Sequence, residues 1–292
     1  MKEGEWLATR FEENRAHLRA VAYRMLGSAT EAEDAVQEAW LRLSRSDAGS
    51  IENLGAWLTT VVARVCLDTL RSRVARREQT LEEEVSVTLP GKTGANPEQE
   101  TILADSVGLA VMVVLDRLAP AERLAFVLHD MFGMSFEEIA PIVDRSPAAA
   151  RQLASRGRRR VRGVPAVPEA NLREKRRLAD AFLAALHAGD FDGLIAVLDP
   201  NVVVHVDAMA GSGTPREIRG AMNWAKGALA FSRQVPGGIR PMLVDREVGL
   251  VWAPHGRLHR VLRFSVVGGK IATIDIIADP ARLREFDLAV LP

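Results

Sequence analysis

The sequence predicts a multidomain chain: two all-α domains, a helical bundle and a helix-turn-helix, followed by an α+β domain built on a sheet. Three observations carry that prediction. Apolar residues recur at helical spacing through residues 10–78. Residues 135–161, SFEEIAPIVDRSPAAARQLASRGRRRV, read as two short helices around a polar turn. From residue 172 onward alternating runs take over, and Gly268-Gly269 marks a hairpin turn.

The bundle begins with an amphipathic helix over residues 11–26, which ends at Gly27 as C-cap. Residues 30–43, TEAEDAVQEAWLRL, form a second helix with Thr30 and Glu33 spaced as a capping box. Its Ala35, Val36, Ala39, Trp40 and Leu43 fall on one side, and Asp34, Gln37, Glu38 and Arg42 on others. Residues 44–54 are polar and read as a loop. Residues 56–74, AWLTTVVARVCLDTLRSRV, form a third helix with a basic end. Residues 79–101 are acidic and then rich in Gly, Pro and Asn, the composition of a linker. Helices over 102–118 and 120–132 lead into the helix-turn-helix.

In that motif Ser135 and Glu138 form a capping box, and Asp144-Arg145 supplies the turn. Ser146 caps the second helix, with Pro147 at its first position, where a missing N–H costs nothing. Pro141 lies deep enough to make the first helix short or kinked. On the second helix Ala150, Leu153, Gly157 and Val161 share the core face, and Gly157 suits a close helix–helix approach. Ala148, Ala149, Arg151, Gln152, Ser155, Arg156, Arg159 and Arg160 face outward. Residues 145–163 hold seven Arg and no Asp, Glu or Lys. A solvated face would mix signs; this one suits a polyanion, with Arg and Gln able to contact base edges.

After a boundary at 163–168, GVPAVP, the α+β domain opens with a helix over 172–188 that stops near Gly189. Strands follow at 202–206, 240–244, 249–252, 257–267 and 270–277, with helices at 217–231 and 280–286.

The chain has 292 residues, 48% of them hydrophobic, enough for two or three domains with proper cores. Its net charge of zero conceals an acidic stretch, residues 81–105 with one Lys and six acids, beside the basic helix. Cys66 is the only cysteine, which excludes an intrachain disulfide and a Cys-based zinc site. The longest apolar run, 107–115, is too short to cross a bilayer, and the first residues do not read as a signal peptide. A cytoplasmic protein with no membrane partner, no metal and no cofactor is expected.

TEAEDAVQEAWLRL, AWLTTVVARVCLDTLRSR and the helix-turn-helix together resemble regions 2 and 4 of extracytoplasmic-function (ECF) sigma factors. The remaining residues are similar to SnoaL-like domains, a cone-shaped α+β fold, and sigma factors carrying that extension form a recognised group. Asp279–Leu283, with looser matches at 88–91 and 207–214, resembles motifs of that group. The resemblance implies domains at 1–78 (region 2), 102–163 (region 4) and 172–292 (SnoaL-like), with linkers at 79–101 and 164–171. It implies core RNA polymerase and promoter DNA as partners. Asp34, Gln37, Glu38, Leu41 and Arg42 would bind core polymerase. Asn53, Trp57, Thr60, Arg64 and Arg71 would read and open the −10 element. Arg151, Gln152, Ser155, Arg156 and Arg159 would read the −35 element. The C-terminal domain would act as a built-in regulator, making a dedicated anti-sigma factor unnecessary. His205, Asp207, Trp224, Trp252, His255 and His259 are the candidates to line a pocket there for an unidentified small molecule. Fold likeness alone does not license catalysis, so no enzyme is expected. Two alternatives stay open: a polymerase-independent, ligand-sensing helix-turn-helix regulator, and a cyclase or isomerase fused to a DNA-binding module.

Overall fold

A computed structural model describes residues 3–46, 51–80, 108–166, 168–211, 213–234 and 239–291. The acidic linker expected at 79–101 lies almost wholly outside them. The chain forms two compact units, one of residues 1–108 and 115–159, the other of 109–114 and 160–292.

In the first unit, α1 (Glu3–Leu26), α2 (Ala29–Leu43) and α3 (Leu54–Thr80) pack around Leu18, Val21, Ala32, Ala39, Leu58 and Cys66, all essentially solvent-free. The second helix starts earlier than expected. Ser28, in extended conformation, is its N-cap and accepts from the Glu31 N–H at 3.4 Å. Thr30 therefore lies inside the first turn, and Glu33 pairs with Arg15 of α1 instead of closing a capping box.

Next come α4 (Leu109–Leu115), α5 (Pro120–Phe126) with a π-helical turn at Val127–Met131, α6 (Phe136–Val143) and α7 (Pro147–Arg162). The predicted capping box at α6 is present: Glu138 N–H donates to Ser135 Oγ, and Ser135 N–H donates to Glu138 Oε2 at 2.9 Å. The Ser135 hydroxyl and N–H hold the Glu138 carboxyl below its ordinary pKa. With Pro141 inside it, α6 spans eight residues and ends at Asp144 in the left-handed region, φ 57°.

The second unit contains α8 (Glu169–Ala188), α9 (Phe191–Val197), β1 (Leu198–Val206), β2 (Arg216–Arg219), α10 (Ala221–Gln234), β3 (Ile239–Val244), β4 (Glu247–Trp252), β5 (Arg260–Val267), β6 (Lys270–Ile277), α11 (Pro280–Glu285) and β7 (Leu288–Ala289). The sheet order is β2-β1-β6-β5-β4-β3-β7, antiparallel except for β1 with β6. This is an α+β domain, as predicted. Residues 217–219, expected as the start of a helix, instead pair with β1 as an edge strand. Gly220 at φ +89° makes the break, a conformation that costs glycine little, and α10 follows.

Leu250, Phe264, Ile271 and Ile274 meet Phe182 and Leu186 of α8 and Trp224 of α10 in one core. Val251, Val261 and Ile277 lie in cross-strand register and are also buried, although alternation turns them to the other face. Residues 109–114 belong to this unit, and a Cβ built on Gly256 would meet Met112 Cβ at 2.8 Å.

Candidate nucleic-acid interface

The second helix of the helix-turn-helix starts as its sequence implies. Ser146 Oγ accepts from the Ala149 N–H at 3.2 Å. Ala150, Gly157 and Val161 are buried and Leu153 is half-buried; Ala154, which the sequence reading omitted, completes the stripe. A Cβ on Gly157 would lie 3.0 Å from Phe126 Cβ and 3.3 Å from the Glu122 carbonyl. Glycine thus lets this helix come close to α5.

The outward face is only partly free. Gln152 and Arg159 are exposed and Ser155 is half-buried. The Arg151 guanidinium lies over the Phe136 ring at 5.1 Å. Arg156 donates to Glu122 at 2.9 Å, and Arg158 donates to Asp130 at 2.6 Å. That hydrogen bond raises the Arg158 pKa. Two of the seven charges are therefore countered from the preceding segment, which only the fold brings near.

On α2, Asp34, Gln37, Leu41 and Arg42 are exposed, with Leu41 open to 39%. Glu38 accepts from Arg42 one turn on, at 2.9 Å. Beside Gln37 runs a groove of about 420 Å³ between α1 and α2, with Phe11, Val36 and Trp40 among its lining. Reading α2 alone did not reveal it, because its other wall is built from α1.

At the start of α3, Asn53 Oδ1 accepts from the Ala56 N–H at 3.0 Å and so acts as the N-cap. Trp57 and Thr60 are half-buried, and Arg71 is exposed within 3.9 Å of Asp68. Arg64, expected along the DNA strand, donates to the Pro141 carbonyl at 3.3 Å in this structure.

Arg123 was not foreseen at all. Its side chain is 2% exposed, with Nε and Nη2 on the Arg24 carbonyl and Nη1 3.6 Å from Asp116. Burial pushes its pKa down to about 10. Arg73 of α3 donates to the Leu26 carbonyl at 3.1 Å and pairs with Glu31. The last turn of α1 would otherwise leave carbonyls unbonded at the negative end of the helix, and two arginines cover them.

Of the six candidate pocket residues of the α+β domain, the five whose side chains are described do not line the small cavity found in this domain. His205 points off the outer sheet face, 2.8 Å from Asp275 and 3.6 Å from Glu217. The Asp207 carboxylate accepts from the N–H groups of Ala210, Ala278 and Asp279 at 2.7–2.9 Å, which ties two chain turns together. Trp224 stacks on Phe182 in the core. Trp252 packs against Phe231 and His259, with Arg260 over both Phe231 and Trp252. The His255 side chain lies outside the described residues. The cavity lined by Phe182, Phe264 and Ile274 measures about 10 Å³, at most room for one water. Among the described residues no group of three or more His, Cys, Asp or Glu is placed to hold a metal, and no helix is long and apolar enough to cross a membrane.

The Sigma-70 region 2 family matches residues 10–76, and the Sigma-70 region 4 family matches residues 108–161. The chain is 37% identical over 289 residues to the ECF RNA polymerase sigma factor SigJ of Mycobacterium tuberculosis, across 92% of this chain and 91% of that one. It is 32% identical over 295 residues to the probable ECF RNA polymerase sigma factor SigI of the same organism, across 97% of each. The crystal structure of M. tuberculosis SigJ aligns at 32% identity with a TM-score of 0.44, covering 94% of this chain and 98% of that one.

Proposed function

The chain belongs to the ECF RNA polymerase sigma factors, and from there we propose how its parts divide the work. It binds RNA polymerase and directs promoter recognition. In our reading, residues 1–78 engage core polymerase through the exposed face of α2 and open the −10 element with the start of α3. Residues 102–163 read the −35 element through α7. Residues 79–101 and 164–171 link the parts, and residues 172–292 regulate them.

One observation carries the reading of the −35 element: α7 buries a narrow stripe of small and apolar residues and exposes Gln152 and Arg159 on its remaining face. A clustered basic face on the second helix of a helix-turn-helix suits a major groove.

Regulation by the C-terminal domain draws support from its grip on the chain leading into it. The Val290 N–H donates to the Val161 carbonyl, and Arg246 donates to the Val164 carbonyl, both at 2.9 Å. Gly163, at φ +57°, leaves no room for a side chain: a Cβ would fall 2.3 Å from Ala289 Cβ. Such a built-in regulator makes a dedicated anti-sigma factor unnecessary. A catalytic role for this domain is not part of our reading, in which the Asp207 carboxylate is committed to three backbone N–H groups.

Run-off transcription with core polymerase on a genomic fragment library tests the whole. The native chain should give specific start sites. Gly163→Val, which both strains and crowds that junction, should change their yield, and the direction gives the sign of control. Unchanged yield with the junction demonstrably broken would count against regulation. Start sites absent from every form would sink the promoter assignment.

A further inference from the structure

The seven arginines of residues 145–163 are not equivalent. Arg156 Nε donates to Glu122 Oε1, and the Glu122 side chain is only 10% exposed while Arg156 is half exposed. Arg158 Nε donates to Asp130 Oδ1, with Asp130 19% exposed. Both carboxylates come from residues 120–131, the segment that packs behind the motif, and both hold arginines in the second half of α7. A carboxylate on a fixed, mostly covered site orients a guanidinium far better than two mobile surface chains would. In the first half of the helix, Ala148 and Gln152 are exposed.

Helical spacing puts Arg156 one turn beyond Gln152 on the same face. An unrestrained guanidinium there would reach for guanine O6 and N7 or for a phosphate. Its ion pair with Glu122 competes with both.

We propose that Glu122 and Asp130 are positioning residues for −35 recognition: they hold Arg156 and Arg158 against the fold and so confine base reading to the first two turns of α7, with Gln152 as a reader. This rests on the reading that α7 enters the −35 major groove, and the test separates the two. Arg159 remains on the exposed face to meet phosphate.

The test uses holoenzyme reconstituted from core polymerase and the full chain, with promoters randomised through the −35 element and transcripts counted by sequencing. Gln152→Ala should relax preference at its base pair by at least about fivefold. Arg156→Ala should leave every base preference within about twofold. Glu122→Gln should release Arg156, steepening the dependence of log K on log salt by roughly 0.9, the value of one added phosphate contact, or adding a guanine preference. The double variant Glu122→Gln/Arg156→Ala should revert to the Arg156→Ala pattern. A merely structural ion pair would move neither the salt slope nor the base preference. If Glu122→Gln fails to fold, Asp130→Asn makes the same test on Arg158, whose release should steepen the salt dependence in the same way. Arg156→Ala relaxing one base position as strongly as Gln152→Ala overturns the proposal. Preferences untouched by either variant overturn the underlying reading of α7, and the proposal with it.

Discussion

Arg123 donates two hydrogen bonds, of 3.2 and 3.1 Å, to the carbonyl oxygen of Arg24, ninety-nine residues earlier in the chain. One guanidinium thereby closes the end of α1 from within the segment matched as region 4. Around it Arg24 lies over the Phe132 ring at 5.0 Å, and His17 meets the same ring edge-on at 5.2 Å. A cation this deeply buried persists because Nε and Nη2 share the carbonyl and Nη1 faces the Asp116 carboxylate at 3.6 Å.

Arg123→Met should lower stability by about 2–4 kcal/mol, because it strips a buried carbonyl of its charged donors. Arg123→Lys should fall between, since an ammonium keeps the charge but not the planar fork. Urea unfolding read by far-UV circular dichroism gives both numbers. Equal midpoints for all three proteins would show that this contact does not hold the folded chain together.

His17 titrates below the ordinary value of 6.5, first because part of its ring is desolvated and second because Arg24 is near. The unfolded chain therefore takes up this proton at higher pH than the folded chain. The stability His17 contributes is complete above 6.5 and is lost as pH falls below it. His17→Gln should flatten the fall in urea midpoint between pH 7.5 and 5.5 relative to the native sequence. Parallel curves for the two proteins would contradict the assignment.

Cys66 is wholly buried in the bundle of α1, α2 and α3, and burial pushes its thiol up to about 12. The nucleophile is the thiolate, so native protein at pH 8 should react with a thiol reagent only through unfolding. Adding urea past the midpoint should release one equivalent of colour. Immediate reaction of the native chain would mean that this bundle opens freely.

In the α+β domain two of the candidate pocket residues should behave oppositely. Asp207→Ala orphans three N–H groups and should cost about 2–4 kcal/mol, seen as a lowered thermal midpoint. His205→Ala removes an exposed side chain and should change stability by no more than about 0.5 kcal/mol. A matched loss in both would indicate a coupled role that the geometry does not display.

Much of this molecule was legible in its sequence because the signals were local. Ser135 with Glu138, Ser146 with Pro147, and Gly189 with φ +70° each act within a turn of the chain, and each stands where reading predicted. The fold class and the buried stripe of α7 followed from periodicity and caps, and the hairpin from the turn signal Gly268-Gly269. The errors were also local. Thr30 offered a plausible cap two residues from Ser28, and residues 217–219 carry no pattern that separates a helix from an edge strand pairing with β1.

Pairings between distant segments had no local signal. Arg123 looks like any surface arginine until α1 presents it with the Arg24 carbonyl. Arg156 and Arg158 look like free charge until residues 120–131 bring Glu122 and Asp130 to them. Asp207 looks like a pocket residue until three N–H groups close on it. The chain's own periodicity and caps determined its helices, its strands and its basic face. Tertiary structure alone decided which of those charges stay available, because a charge leaving water must find its partner in space rather than in sequence.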